Sequence, residues 1–210
     1  MKKIRDYFSV MGKSFLIWSK PPALSDIDTL AGFCLQRASY VAQTTLYGYL
    51  RTRAGLQHFN LFTDKKFTAV LKPARTRLVL VCLDDLTVYA AAMVPDLGEQ
   101  KRAELAGELF AHGIAALQDE ALPQTELNSV QKDFEARSRL IDWTARAAPD
   151  KGIAAFRKSA DALIELAPIV DDLKKYDNEI VTNSMHFKWH GVRSQLRERL
   201  DAHALLASLT

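Results

Sequence analysis

An all-α fold follows from three features of the sequence. Good helix formers (Ala, Leu, Lys, Arg, Glu, Gln) fill the stretches between sparse breakers, with only nine Gly and seven Pro in 210 residues. Apolar residues recur every three or four positions, as in Leu105/Leu109/Gly113/Leu117 and Leu127/Val130/Phe134/Ile141, so each stretch has one stripe to bury. Strict two-residue alternation is nearly absent, which leaves little to build a sheet from. The expectation is seven to eight helices in all, an amphipathic basic helix in residues 1–20 and a single all-α globular domain over residues 21–210.

The elements run in this order. A first helix spans about 3–18 and stops before Pro21-Pro22. Ser25 or Asp26 caps a long second helix reaching about Arg53. A short helix near 63–71 starts at Thr63 or Asp64 and ends before Pro73. Residues 74–94 are the most apolar stretch. The run from Leu78 has no decisive period, but its alanine-rich continuation favours helix over strand. Helices over 99–118, 125–146 and 152–166 come next, separated by Pro, Gly and cap-like residues. A long polar helix from about Asp171 to the C-terminus, bent near Gly191, completes the set.

Composition excludes several classes. With 48% hydrophobic residues and a net charge of +3, the chain is not a disordered polymer. Its two cysteines, Cys34 and Cys82, sit in apolar surroundings and read as buried thiols in a reducing cytoplasm. The opening Met1-Lys-Lys-Ile-Arg resembles a signal n-region, but Asp6 and Lys13 interrupt the apolar run that a signal peptide would need next, and no small-residue cleavage site appears. The apolar run 78–94 carries Asp84-Asp85 at its middle. That pair penalises membrane insertion by roughly 5–7 kcal/mol, so the run reads as a core element.

The charge is unevenly spread. Residues 1–77 hold 13 Lys/Arg against 4 Asp, a net +9, which leaves −6 for the remainder. Such a split suits an anionic partner for the N-terminal part, or a match between the two parts. At about 100° per residue, Ile4, Tyr7, Phe8, Met11, Phe15 and Trp18 share one face of the first helix, opposite Lys2, Arg5, Lys13 and Lys20. That pattern fits a helix lying in a membrane interface, and it fits one packed on the core. Lys3 adds to the basic end. A second basic cluster collects Arg51, Arg53, Lys65, Lys66, Lys72, Arg75 and Arg77 among Tyr47, Tyr49, Phe59, Phe62 and Phe67. It can meet phosphates of lipid or nucleic acid, or form a solvated face. No nucleic-acid motif accompanies it, so nucleic acid is disfavoured as a partner.

Catalytic signals are mostly missing. Gly12-Lys13-Ser14 has Tyr7 where a phosphate-binding loop needs glycine, and neither Gly-x-Gly-x-x-Gly nor Gly-x-Ser-x-Gly occurs. Ser39 or Ser184 with one of five histidines would be an irregular triad at most. His186 and His190 share a helix face at zinc-like spacing, but two ligands do not make a site, and no metal or cofactor is expected. Asp84 and Asp85 point about 100° apart on a helix and cannot form a dyad with each other; if buried, at least one needs a basic partner such as Arg37 or Arg193, or a raised pKa. In the polar last helix, Glu198 among Arg193, Arg197 and Arg199 reads as a salt-bridge-laced face, and Asn183, Ser184 and Trp189 could line a groove for a partner helix.

Two stretches carry a resemblance. Arg37-Ala-Ser-Tyr-Val-Ala-Gln-Thr-Thr-Leu-Tyr-Gly-Tyr-Leu-Arg-Thr-Arg-Ala-Gly and Tyr176-Asp-Asn-Glu-Ile-Val-Thr-Asn-Ser-Met-His-Phe-Lys-Trp resemble a family of uncharacterised alphaproteobacterial helical proteins that sometimes carry the label esterase. The resemblance covers most of the chain, and the label would imply a small hydrolase without the standard serine motif. A weaker likeness, through the aromatic helix 40–53, Phe67 and the apolar helix from Leu78, is to the helical ubiquinol–cytochrome c chaperone family.

The leading expectation is a non-catalytic cytoplasmic adaptor or assembly factor, peripheral on the inner membrane, that docks reversibly on an anionic surface or a membrane protein complex. Its contacts would be Lys2, Lys3, Arg5, Phe8, Lys13, Phe15, Trp18, Arg51, Arg53, Lys65, Lys66, Lys72, Arg75 and Arg77. The alternatives are the esterase-like hydrolase and a soluble protein–protein interaction module.

Overall fold

The computed structural model describes residues 21–117, 121–144 and 154–209. The expected first helix, with contact residues Lys2, Lys3, Arg5, Phe8, Lys13, Phe15 and Trp18, lies outside the described residues. The fold is all-α, and the described residues contain no strand beyond a single bridge, Leu24 to Leu200.

Helix α1 (Ile27–Ala54) starts at a complete capping box: the Asp26 carboxylate accepts from Thr29 N–H, and the Thr29 hydroxyl accepts from Asp26 N–H. It stops at Gly55, whose φ of +53° suits a residue without Cβ and whose N–H closes onto Arg51 C=O. A 3₁₀ turn (Gly55–Gln57) and a short helix α2 (His58–Thr63) carry the chain over to α3 (Lys65–Ala92), capped by Asp64 through Phe67 N–H.

Helix α3 corrects two expectations. The short helix expected near 63–71 and the run 74–94 are one element, and Pro73 lies inside it. A proline there costs on the order of 3 kcal/mol. Ala69, whose carbonyl loses its partner, is exposed and can turn to water, while Leu71 and Ala74 on either side are buried. Burial of the long helix outweighs the break. From Leu78 to Ala92 almost every side chain is buried, whichever way it points, as expected of a helix enclosed on all sides. Among the described residues, no helix is long and apolar enough to cross a membrane.

Helices α4 (Glu99–Ala116) and α5 (Gln124–Ser138) come next, joined by the Phe110–Phe134 ring stack at 4.1 Å. Of the two stripes, Leu105, Leu109, Gly113, Leu127 and Phe134 are buried, whereas Leu117, Val130 and Ile141 are half-buried. A 3₁₀ turn (Ala154–Phe156) leads into α6 (Arg157–Leu166). The remainder is α7 (Asp171–Lys174), α8 (Asn178–Arg199) and α9 (Ala202–Ser208).

The last helix is therefore three. Its main break is at Leu200, not Gly191. There Leu24 N–H donates to Arg199 C=O and Asp201 N–H to Leu24 C=O, which pulls Leu200 into extended backbone. Asp201 then caps α9 through Ala204 N–H.

Helix α3 packs on α1, α4 and α6, and α8 packs on α1 and α6. Helices α1 and α8 run antiparallel. Tyr49 and Arg53 meet Asp177 at one end, Thr45 meets Met185 in the middle, and Arg199 covers the Phe33 ring toward the other. The Arg53–Asp177 pair thus places the α1–α3 turn beside the start of α8.

Two glycines of α4 give a contrast in packing. A Cβ on Gly113 would overlap Leu83 Cδ2 and come within 3.2 Å of Cδ1, whereas one on Gly107 would meet nothing. Gly107→Ala should raise unfolding stability by about 0.5–1 kcal/mol through helix propensity. Gly113→Ala should lower it by about 1 kcal/mol, because overpacking exceeds that gain. Paired urea titrations of the two variants check the opposite signs.

Candidate functional site

The described part of the predicted basic cluster divides in two. Arg53 gives its guanidinium to Asp177 through Nε at 2.6 Å and a second contact, and Tyr49 O–H donates to the same carboxylate at 2.6 Å. Arg53 and the Tyr49 hydroxyl hold the Asp177 carboxyl below the ordinary range, so it stays ionised. Arg77 forks onto Glu126 at 2.7 and 3.0 Å and joins α3 to α5. Arg75 is half-buried. Arg51, Lys65, Lys66 and Lys72 are exposed. The cluster is thus partly structural, and its outward charge lies mainly at the α1–α3 turn.

That turn also carries two residues whose pairing nothing in the sequence pattern marks. Leu56 is 96% exposed and Phe59 is 73% exposed. Along the chain they fall between Arg51 on α1 and Lys65 and Lys66 on α3, and the Phe59 ring lies 4.1 Å from that of His58. The other aromatics face inward: Tyr47 and Phe62 pack at 5.5 Å, Phe62 and Phe67 at 6.3 Å, tying α2 to both long helices. Of the five aromatics expected to interleave with the charges, only Phe59 presents its ring. The turn thus presents two exposed apolar side chains near exposed cations of both long helices, α1 and α3, which pack on each other.

The interior holds a second polar constellation. Asp84 and Asp85 are both buried on α3. Their partners are not the expected Arg37 and Arg193. Asp84 Oδ2 accepts from Arg137 of α5 and from Lys158 Nζ of α6 at 2.6 Å. Asp85 Oδ2 accepts from Ser159 N–H at 2.8 Å. Ser159 Oγ donates to Phe156 C=O at 3.0 Å and accepts from Trp189 Nε1 at 2.9 Å. Arg193 and Arg197 turn to Tyr89 Oη, and Arg37 lies against the Phe33 ring.

This arrangement has a simple physical role. Helix α6 has no side-chain cap of its own, and Arg157 and Lys158 in its first turn are cations where the helix dipole is already positive. Asp85 supplies the missing cap from another helix, and Asp84 neutralises Lys158. Burial, then the neighbouring Asp84 charge, push the Asp85 carboxyl up to about 7; the bonds from Ser159 only partly oppose them.

The remaining candidates stay apart. Cys34 and Cys82 are free and buried, and burial pushes both thiols up. His186 is half-buried and His190 exposed, and among the described residues no group of three His, Cys, Asp or Glu comes together to hold a metal ion. Ser39 is half-buried and Ser184 exposed. Trp189 belongs to the core, stacked on Phe156 at 4.4 Å, and lines no outer groove. An open groove of about 820 Å³ between α4 and α5 is lined by Glu99, Glu104, Glu108 and Glu135 with Arg139, so its sign is opposite to that of the turn.

The chain matches no protein-family model, no curated protein and no solved structure.

The buried carboxyl gives a pH signature. In the unfolded chain Asp85 ionises near its ordinary 3.8, but in the fold only near 7. The folded state therefore binds more protons between these values. The stabilisation is complete below about 3.8 and lost as pH rises to about 7. Asp85→Asn keeps an acceptor for Ser159 N–H and removes the charge. Its stability relative to the parent should rise between pH 4 and 7 by a few kcal/mol and then level off. Asp85→Ala loses the cap and should cost about 1–2 kcal/mol at pH 5. Urea unfolding across pH, with all three chains side by side, reads both effects.

Proposed function

We propose that this chain is a non-catalytic helical adaptor or assembly factor that docks reversibly on an anionic membrane surface, led by the α1–α3 turn. The observation that carries this reading is the exposure of Leu56 and Phe59 near the exposed Arg51, Lys65 and Lys66. Exposed apolar side chains near cations suit the boundary between headgroups and acyl chains. Each such cation near an anionic leaflet is worth about 1 kcal/mol. Burying Leu56 and Phe59 adds about 1.5–3 kcal/mol each before the costs of association. That sum supports reversible docking, not permanent anchoring.

Residues 1–20 would add a second contact, with Phe8, Phe15 and Trp18 opposite Lys2, Arg5 and Lys13, and Lys3 at the basic end. In this reading the protein works at the cytoplasmic face of a membrane and brings a membrane complex and a soluble component together.

Co-sedimentation with vesicles tests the proposal. The full chain should bind vesicles containing an anionic lipid, bind neutral ones poorly, and release as salt rises. Lys65→Gln with Lys66→Gln should weaken binding about 30-fold, and Leu56→Glu with Phe59→Glu by more than about 100-fold, with the circular dichroism of both intact. Removing residues 1–20 should weaken it further. Binding indifferent to salt and to the turn substitutions, or absent with anionic vesicles, would defeat the proposal.

A further inference from the structure

Helix α8 turns a second apolar surface outward. Ile180 is 74% exposed and Phe187 77%, two turns apart on one face, and Tyr176, just before the helix, is 83% exposed. Tyr40 of α1 is exposed beside it, with Lys188 Nζ 5.7 Å from the Tyr40 ring. At ~150–250 Å² per aromatic side chain and somewhat less per aliphatic one, this patch exposes on the order of 500 Å² of apolar side chain. Monomeric proteins rarely leave more than a few hundred Å² contiguous, and a stable interface takes about 800 Å² from each partner. The patch supplies most of that before its polar flanks are counted.

We infer that this face pairs with the same face of a second copy of the chain, the two α8 helices lying antiparallel about a two-fold axis between Asn183 and Ser184. The stripe is self-complementary in that register. A two-fold there sets Ile180 opposite Phe187 of the other copy, and Tyr176 opposite Gly191, so a large ring meets a residue without a side chain. Asn183 meets Ser184 at the centre, a polar pair that fixes the register. On one flank Glu179 comes within a turn of His190 of the other copy, opposite in sign when the imidazole is protonated. A parallel pairing sets Tyr176 on Tyr176 and Gly191 on Gly191, and leaves a gap at one end. Antiparallel α8 helices also set the two α1–α3 turns at opposite ends of the dimer. That consequence rests on the membrane reading; the dimer itself does not.

Sedimentation equilibrium of the full chain without lipid is the test. The chain should be dimeric over about a hundredfold range of concentration. Phe187→Glu should raise the dissociation constant about 100-fold while circular dichroism stays unchanged. Phe59→Glu at the turn should leave it alone. Register is read with a short thiol cross-linker, since Cys34 and Cys82 are buried. Ser184→Cys should cross-link to its copy. Ser194→Cys should not, because antiparallel copies of residue 194 lie about 30 Å apart along the axis. A monomer at every concentration, a dimer indifferent to Phe187→Glu, or cross-linking at both positions would overturn the inference. None of these results depends on vesicle binding, so the two proposals fail separately.

Discussion

The burial of α3 is the constraint on which the rest depends. A helix enclosed by α1, α4 and α6 must be apolar all round, yet this one carries two adjacent carboxylates in its buried half. Two adjacent acids cannot be buried without partners from at least two directions, since they point about 100° apart. The fold meets this by bringing Arg137 and Lys158 to Asp84 and the start of α6 to Asp85. The pair therefore fixes where α5 ends and where α6 begins. The same contacts lead on through Ser159 to Trp189, which seats α8. One polar element thus orients three of the helices around the central one. A buried network of this kind adds little net stability, but it penalises any arrangement that leaves it half-made.

With α3 fixed, its N-terminal half forms one arm of a hairpin with α1 and keeps only its inner side, Leu71, Ala74 and Thr76, buried. This arm is less buried: Phe67 and Pro73 are half-buried and Lys65, Lys66, Ala69, Val70 and Lys72 exposed. The Arg53–Asp177 and Arg77–Glu126 pairs brace the arm against α8 and α5. They also use two cations of the basic cluster on acids from the acidic part of the chain. The charge split therefore has two outcomes. Part of it is a match between the two parts of the chain, and part remains on the surface, positive at the turn and negative in the α4–α5 groove.

Local signals were legible and distant ones were not. The starts of α1 and α3 were readable to within one residue, Ser25 or Asp26 and Thr63 or Asp64, because a cap acts within three residues, and in both the aspartate is the cap. The helical character of 78–92 was readable from its alanine-rich continuation. Pro73 misled, because the cost of a proline is local while the burial that outweighs it comes from α1 and α4. The break at Leu200 was invisible because its cause, Leu24, lies far back in the chain. The partners of Asp84 and Asp85 were unreadable for the same reason, with 53 residues to Arg137 and 74 to Lys158 and Ser159. At the turn, the charges were readable but the exposed apolar pair was not. Leu56 and Phe59 are of types that usually enter a core, and only the turn at Gly55 sets them outside.

The two outward apolar surfaces differ in a way that argues for different partners. The turn is small, and its near flanks carry Arg51, Lys65 and Lys66 around one acid, Asp64. Under the membrane proposal, two apolar side chains at a turn bury little against a protein but enough in a fluid interface, and cations mostly of one sign would steer them there. The α8 stripe runs from Tyr176 to Phe187 along one helix face, and its flanks mix Glu179 with Lys188 and His190. A mixed rim gives no preference for an anionic surface, whereas a helix face with alternating bulk and gaps at Ser184 and Gly191 suits another helix. Both surfaces are anchored from behind, the turn by Arg53 on Asp177 and the stripe by Met185, Trp189 and Val192 in the core. Because no residue serves both anchors or both faces, a partner on the stripe and a membrane at the turn compete for none.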